Sequence, residues 1–368
     1  MQDDSTPAER DISSVRRQAD HDELRWGSLS DWAELVRLPN IFTVLSNSTA
    51  AAILVERRWP PTLLFILLLI ASVLAYWGGM ILNDVADLEE DRASGRKRPL
   101  VTGRISPVLA GHIGSGMLLV GPLLVLFAVF LHRYQPMWMG AAFGTAVALS
   151  IAVRIYNSSI KHTPLGPLIM GSCRGLNVLM VATGIFAVVS MNGVSTETVR
   201  GDAAQTVETT PVEITSVDPL TIEYPRSVLF TALGLSIYVL GITVFARHEE
   251  TNSAKPQLIL GIALEMIGVA TIAAMPWWSE PTGKWMMDIS SAYPILVALI
   301  GVTVVNRGVM AVTHPVSRKV QLAVKHAILT IVLLDASVVA VSAGPWFGGG
   351  IAALLIPAML IGARFRST

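Results

Sequence analysis

The 368-residue chain is 52% hydrophobic and only 15% charged, with a mean hydropathy of +0.57. Soluble domains carry about 25% charged residues, so a soluble globular fold is excluded. The 27 basic residues balance 27 acidic ones, which leaves no global field to recruit nucleic acid. The single cysteine, Cys173, rules out an intrachain disulfide framework and reads as a small packing residue in an apolar helical run.

Residues 1–30 are polar and lack the apolar stretch of a signal peptide, so they read as a cytoplasmic tail ahead of one membrane domain over residues 31–368. A spanning helix needs about 20 mostly apolar residues. Such runs lie at 62–82, 113–131, 137–153, 166–189, 228–246, 258–275, 293–312 and 327–342. Residues 40–55 are shorter and more polar but complete a first span, and 348–362 form a further short candidate. The expected fold is an all-α membrane bundle of about nine transmembrane helices, ten if the last segment crosses fully. Segment 191–226 is acidic, rich in Thr and Val, and reads as a long extracytoplasmic loop.

Orientation follows from the loop cations. Arg10, Arg16, Arg17, Arg25 and Arg37 precede the first span, and Arg92, Arg96, Lys97, Arg98 and Arg104 follow the second. Later even-numbered loops carry Arg154 and Lys161, then Arg247 and Lys255, then Arg318, Lys319 and Lys325. The amino terminus and the even loops are therefore expected on the cytoplasmic side, in a bacterial cytoplasmic membrane. Arg364 and Arg366 would return to that side after a tenth span.

The second span ends in Asn83-Asp84-Val85-Ala86-Asp87-Leu88-Glu89-Glu90-Asp91. If the helix continues, Asn83, Asp87 and Asp91 share one face at i, i+4 and i+8. Several hard oxygens on one stripe suit Mg²⁺, which usually shares its shell with substrate phosphates. Arg92, Arg96, Lys97 and Arg98 follow at once, and cations beside such a stripe suit a diphosphate. On composition alone, a solvated helix end with ordinary cytoplasmic arginines explains the segment equally well.

The run NDVADLEEDRASGRKRPLVTGRIS, residues 83–106, resembles the first aspartate-rich motif of the UbiA superfamily of intramembrane prenyltransferases. Asn83, Asp84, Asp87, Asp91, Arg98, Pro99, Leu100, Gly103, Ile105 and Ser106 supply its elements. Arg37-Leu38-Pro39-Asn40 is similar to the start of the family's first helix, and Tyr156-Asn157, Lys161 and Gly171–Asn177 to its middle segment. The resemblance implies a bundle around a central cavity and Mg²⁺-dependent transfer of a prenyl group from a prenyl diphosphate to an aromatic or other cyclic, lipophilic acceptor in the bilayer. It implies metal ligation by Asn83, Asp87 and Asp91, diphosphate binding by Arg98, Lys161 and Arg174, and catalytic roles for Asp87, Asp91 and Lys161. Asn177 lies one turn from Arg174 and joins the diphosphate set. The family's second acidic motif is altered here: Glu249 stands where an acid is expected, but its i+4 partner is Ser253. Glu249 is assigned to metal. The competing reading is a non-catalytic scaffold of the same build or a transporter of lipids or small molecules.

Asp335, Glu265 and Arg307 are further polar residues inside apolar spans, and an internal ion pair such as Asp335 with Arg307 is expected. The histidines show no metal-ligand spacing. Trp77, Trp138, Trp277, Trp278, Trp285 and Trp346 near span ends suggest interfacial belts. Gly114, Gly144, Gly171 and Gly241 suggest close helix approach.

Overall fold

The structure is a computed structural model that describes residues 25–193, 223–247, 254–279 and 285–364. In chain order its helices are α1 (Leu29–Leu35), α2 (Ile41–Glu56), α3 (Thr62–Ala86), α4 (Leu88–Ala93), α5 (Pro107–Phe130), α6 (Pro136–Tyr156) and α7 (Gly166–Gly193). There follow α8 (Arg226–Ala246), α9 (Lys255–Trp278), α10 (Ala292–Thr313), α11 (Ser317–Ala343), α12 (Pro345–Ala352) and α13 (Leu355–Arg364). Two 3₁₀ turns lie at Leu38–Asn40 and Ser159–His162, and no strand occurs among the described residues. Most of tail 1–30 and of loop 191–226 lies outside the described residues.

Ten stretches are long and apolar enough to cross a membrane: α2 with the turn before it, α3, α5 to α11, and α12 with α13. The tenth is broken at Ala353 and Leu354, between α12 and α13. Prolines at the first turn of α5, α6, α9 and α12 start these helices where a missing N–H is harmless. Outward faces are greasy. Leu63, Ile66 and Ile70 on α3, and Leu119, Leu123 and Phe127 on α5, are exposed at helical spacing. Such stripes are tolerated against lipid and would be an aggregation surface in water. The chain is a multi-pass integral membrane protein.

The interior is set by α11, with 72% of its spanning window buried, α7 with 67%, and α2 with 56%; α6, at 22%, is peripheral. Glycines let backbones touch between α8 and α9. A Cβ on Gly268 would lie 2.6 Å from the Tyr238 nitrogen, and one on Gly241 2.6 Å from the Glu265 nitrogen. Gly234 and Gly241, like Gly261 and Gly268, are seven residues apart, so two glycines per helix fall on the same seam. Gly114 sits in a similar contact with Gly78 and Leu82. Gly144, expected to do the same, faces open space, because α6 is peripheral. The tryptophan belt is partial: Trp277, Trp278 and Trp346 are exposed, but Trp138 stacks on Tyr224 and Trp285 lies under the Arg57 guanidinium.

The expected Asp335–Arg307 ion pair does not form. Asp335 is fully buried on α11 and accepts from Ser46 Oγ (2.7 Å) and Asn47 Nδ2 (3.4 Å) on α2. Arg307 is exposed on the outer side of α10. Asn47 also accepts from Asn177 Nδ2 at 3.1 Å, so one polar chain links α11, α2 and α7 and satisfies these buried groups.

Candidate active site at the end of the second span

Helix α3 stops at Ala86, Asp87 takes φ −89° and ψ 0°, and α4 begins at Leu88. The helical bonds nonetheless cross the junction, from Asp87 N to Asn83 O (3.0 Å) and from Asp91 N to Asp87 O (2.8 Å). Asn83 and Asp87 therefore share a face, with Asn83 Nδ2 donating to Asp87 Oδ2 at 3.0 Å. Asp87 Oδ1 takes the Lys161 ammonium, carried by the 3₁₀ turn Ser159–His162. Asn157, which donates to Gly79 O at 3.1 Å, pins that turn to α3. A Cβ at Gly166 would lie 2.6 Å from Lys161 O, so only glycine lets the chain enter α7 so close behind the lysine. Burial pushes the Lys161 ammonium down from the ordinary lysine range, and the charge of Asp84 opposes that shift.

Asp91 belongs to a second group. It is buried and bound by Arg96 (2.7 Å) and Arg98 (2.9 Å). Arg98 also reaches Asp84 Oδ1 at 3.0 Å, and Arg37 reaches the same oxygen at 3.5 Å. Arg37 has φ 49°, a left-handed backbone uncommon for a side chain of its size, immediately before the Leu38–Asn40 turn. The acidic stripe is thus divided: Asp87 joins Asn83 to Lys161, while Asp84 and Asp91 clamp Arg98.

The loop between α4 and α5 carries Arg96 and Arg98. Gly95 and Gly103 turn it with positive φ. Arg104 ties it to α1 through Asp31 and through Glu34 at 3.0 Å. Ser28 caps α1, and its backbone and hydroxyl bonds hold the Asp31 carboxyl below its ordinary range, so Asp31 stays ionised opposite Arg104.

Arg174 and Asn177 do not touch this cluster. Half-buried Arg174 donates to Thr43 O and Thr43 Oγ1, both at 3.1 Å, and Asn177 donates to Asn47 and Ser48. Tyr76 lies within electrostatic reach of both Arg37 and Arg174, so these three mark a polar path from the acidic cluster into the bundle. Glu249 lies outside the described residues.

Sequence reasoning passed over four participants. Asp84, Glu90 and Arg37 stood in quoted motifs without a role. His162 was set aside for lack of spacing, yet one ligand atom each of Asp87, Glu90 and His162 lies within 4.8 Å of the others. The adjacency of His162 to Lys161 was the available signal. This donor set, with Asn83 beside it, offers hard oxygens that fit Mg²⁺, with the imidazole as a softer member.

This is a helical membrane protein whose polar cluster sits at a helix end facing the loops. The model of the UbiA prenyltransferase family matches residues 44–303, more than half of the chain, and the chain belongs to that family. It is similar to digeranylgeranylglyceryl phosphate synthase of Sulfurisphaera tokodaii, 29% identical over 161 residues, 43% of this chain and 54% of that protein. The synthase of Sulfolobus acidocaldarius is 31% identical over 140 residues, 38% of this chain and 46% of that protein. The chain thus spans about half the length of the curated relatives it matches. Among solved structures, one described as showing the biosynthesis of digeranylgeranylglyceryl phosphate synthase in membranes has a TM-score of 0.56, with 16% identity over 86% of this chain and 98% of that one. A UbiA homologue from Archaeoglobus fulgidus bound to DMAPP and Mg²⁺ has a TM-score of 0.50, with 12% identity over 82% of this chain and 99% of that one. At those identities the likeness is one of fold.

Proposed function

We propose that this chain is a Mg²⁺-dependent intramembrane prenyltransferase that moves a prenyl group from a prenyl diphosphate to a lipophilic acceptor. The observation that carries the reading is the cluster around Asp87, which pairs with Lys161, accepts from Asn83 and lies beside Glu90 and His162, next to an arginine held by Asp84 and Asp91. Asn83, Asp87 and Glu90 would hold the metal, which when bound supplies positive charge against the diphosphate oxygens. Glu249 is a further proposed ligand.

The rest belongs to the chain's own side chains. When the allylic C–O bond breaks, its electron pair goes to the departing diphosphate. Lys161 and Arg98 meet that charge in a half-buried site, where fixed cations act more strongly than in water. Asp84 and Asp91 hold the Arg98 fork in advance, so little reorganisation is needed at the moment of reaction. Arg174, on the path marked by Tyr76, is proposed to meet the diphosphate from the bundle side. The acceptor's nucleophilic atom bonds to the allylic carbon and then loses a proton. The apolar helices supply the slot for the isoprenoid chain.

The amino terminus and the loops carrying the site are proposed to face the cytoplasm, as the cation bias requires. The curated relatives are archaeal and lend no support to a bacterial setting. The transporter reading rested on the altered second acidic motif and the buried acid Asp335; the bonds of Asp335 to Ser46 and Asn47 account for that residue structurally, and the motif lies outside the described residues.

The test is incubation of the reconstituted protein with labelled prenyl diphosphates and Mg²⁺, offering an aromatic acceptor and a prenylated glyceryl phosphate in parallel. Labelled lipid that depends on Mg²⁺ is expected with one of them. A folded protein that turns over no prenyl diphosphate would overturn the enzyme reading.

A further inference from the structure

Helices α10 and α11 meet at a short turn on the same membrane side as the acidic cluster. Phe245 at the end of α8 packs on Leu258, Val320 and Ala323 there, and Arg247 reaches the backbone of His162. On the outer surface of this junction lies a groove of about 380 Å³. Its lining includes the basic side chains of Arg307, His314 and Lys319 and the apolar Met310 and Leu322. No carboxylate occurs among the lining residues. Met310 and Leu322 are about half exposed, at 47% and 52%, which on this surface means exposed to lipid chains.

Arg307 is the unusual member. It lies six residues before the end of α10, or about 9 Å below it at 1.5 Å per residue. A lipid-facing arginine at that depth is costly unless its long stem lifts the charge to an anionic partner at the interface. Lys319, in the first turn of α11, points a second cation at the same groove, and the N-terminal end of α11 adds partial positive charge. His326, one face over, is satisfied by Thr303 Oγ1 at 3.1 Å. Two cations over an apolar-flanked groove complement a phosphate bearing two acyl chains.

We propose that this groove is a binding site for an anionic glycerophospholipid, with the phosphate on Arg307 and Lys319 and the chains along Met310 and Leu322. The bound lipid would brace the α10–α11 turn from outside, behind the end of α8. The site is independent of the acidic cluster and of the reaction assigned to it.

Native mass spectrometry of the full chain, released from bilayers of mixed phosphatidylcholine and phosphatidylglycerol, tests the proposal. Retention of phosphatidylglycerol over phosphatidylcholine is expected. Each surface cation contributes about 1 kcal/mol toward an anionic lipid, so Arg307→Gln with Lys319→Gln should weaken retention roughly 30-fold and Lys319→Gln alone roughly fivefold. Arg307→Lys with Lys319→Arg should retain the lipid. Soluble glycerol phosphate should fail to compete, since it lacks the chains. Equal retention of both lipids, retention unchanged in the glutamine variants, competition by glycerol phosphate, or a second copy of the chain in place of lipid would each overturn it.

Discussion

Replacing Asp87 with alanine removes the carboxylate that takes Lys161 on one oxygen and Asn83 on the other, and with it the centre of the Asp87, Glu90 and His162 set. Loss of one such electrostatic group typically lowers kcat by about 10²–10³, or roughly 3–4 kcal/mol of transition-state stabilisation. The cost in stability should be smaller. The side chains of Asp87 and Lys161 are 18% and 10% exposed, but only one cation loses its partner and a lysine, unlike an arginine, can shed its proton, so the cost should be about 1–2 kcal/mol. Asp91 provides the contrast. Its side chain is 1% exposed and holds both Arg96 and Arg98, so Asp91→Ala removes a buried carboxylate partner from each and should cost about 3 kcal/mol. The assays are Mg²⁺-dependent turnover of a labelled prenyl diphosphate and thermal unfolding followed by tryptophan fluorescence. Asp87→Ala should be folded and nearly inactive; Asp91→Ala should melt earlier. Wild-type turnover in Asp87→Ala, or a larger loss of stability there than in Asp91→Ala, would refute the division of the stripe into two groups.

Burial depresses the Lys161 ammonium, and the reaction needs it charged, so activity should fall with rising pH before the ordinary lysine range is reached. Lys161→Arg should move that alkaline limb upward while Lys161→Met removes most activity; a limb unmoved by arginine would sink the assignment. Glu249→Ala should cost less turnover than Asp87→Ala, since its motif lacks the second acid; equal losses would make Glu249 a full ligand. Asp335→Ala leaves the buried Asn47 amide without its acceptor and Ser46 with only the Thr43 carbonyl, and should cost about 1–3 kcal/mol, read as a lower Tm. Gly268→Ala forces a Cβ against the Tyr238 backbone and should cost about 1–3 kcal/mol, while Gly144→Ala should leave Tm unchanged.

The spans were legible because lipid imposes a long apolar run, and 62–82 or 327–342 allow little else. The shared face of Asn83 and Asp87 was legible for the same kind of reason: helical spacing survives the junction at Asp87. The partners were not. The junction between α3 and α4 leaves Asp91 with Arg96 and Arg98 while Asp87 keeps Lys161, and no periodicity in the string encodes that split. His162 reaches the site only through a 3₁₀ turn after α6, a contact across about seventy residues of sequence. Asp335 and Arg307 were paired because both are charges in apolar runs. Their helical faces differ, and the acid finds Ser46 and Asn47 on α2, nearly three hundred residues earlier.

The ties of Arg104 to Asp31 and Glu34, with Ser106 N bonded to Arg25 O at 3.0 Å, make the short helix α1 a splint laid across the arginine loop. Arg96 and Arg98 are therefore kept in register by a segment that is not itself one of the spanning helices. Loss of α1 is expected to be felt first as looseness of the arginine loop, read as a raised KM for the proposed prenyl diphosphate donor, while every membrane helix stays in place. Constitutive trimming of that segment would tune the enzyme's appetite for its donor without altering the chemistry.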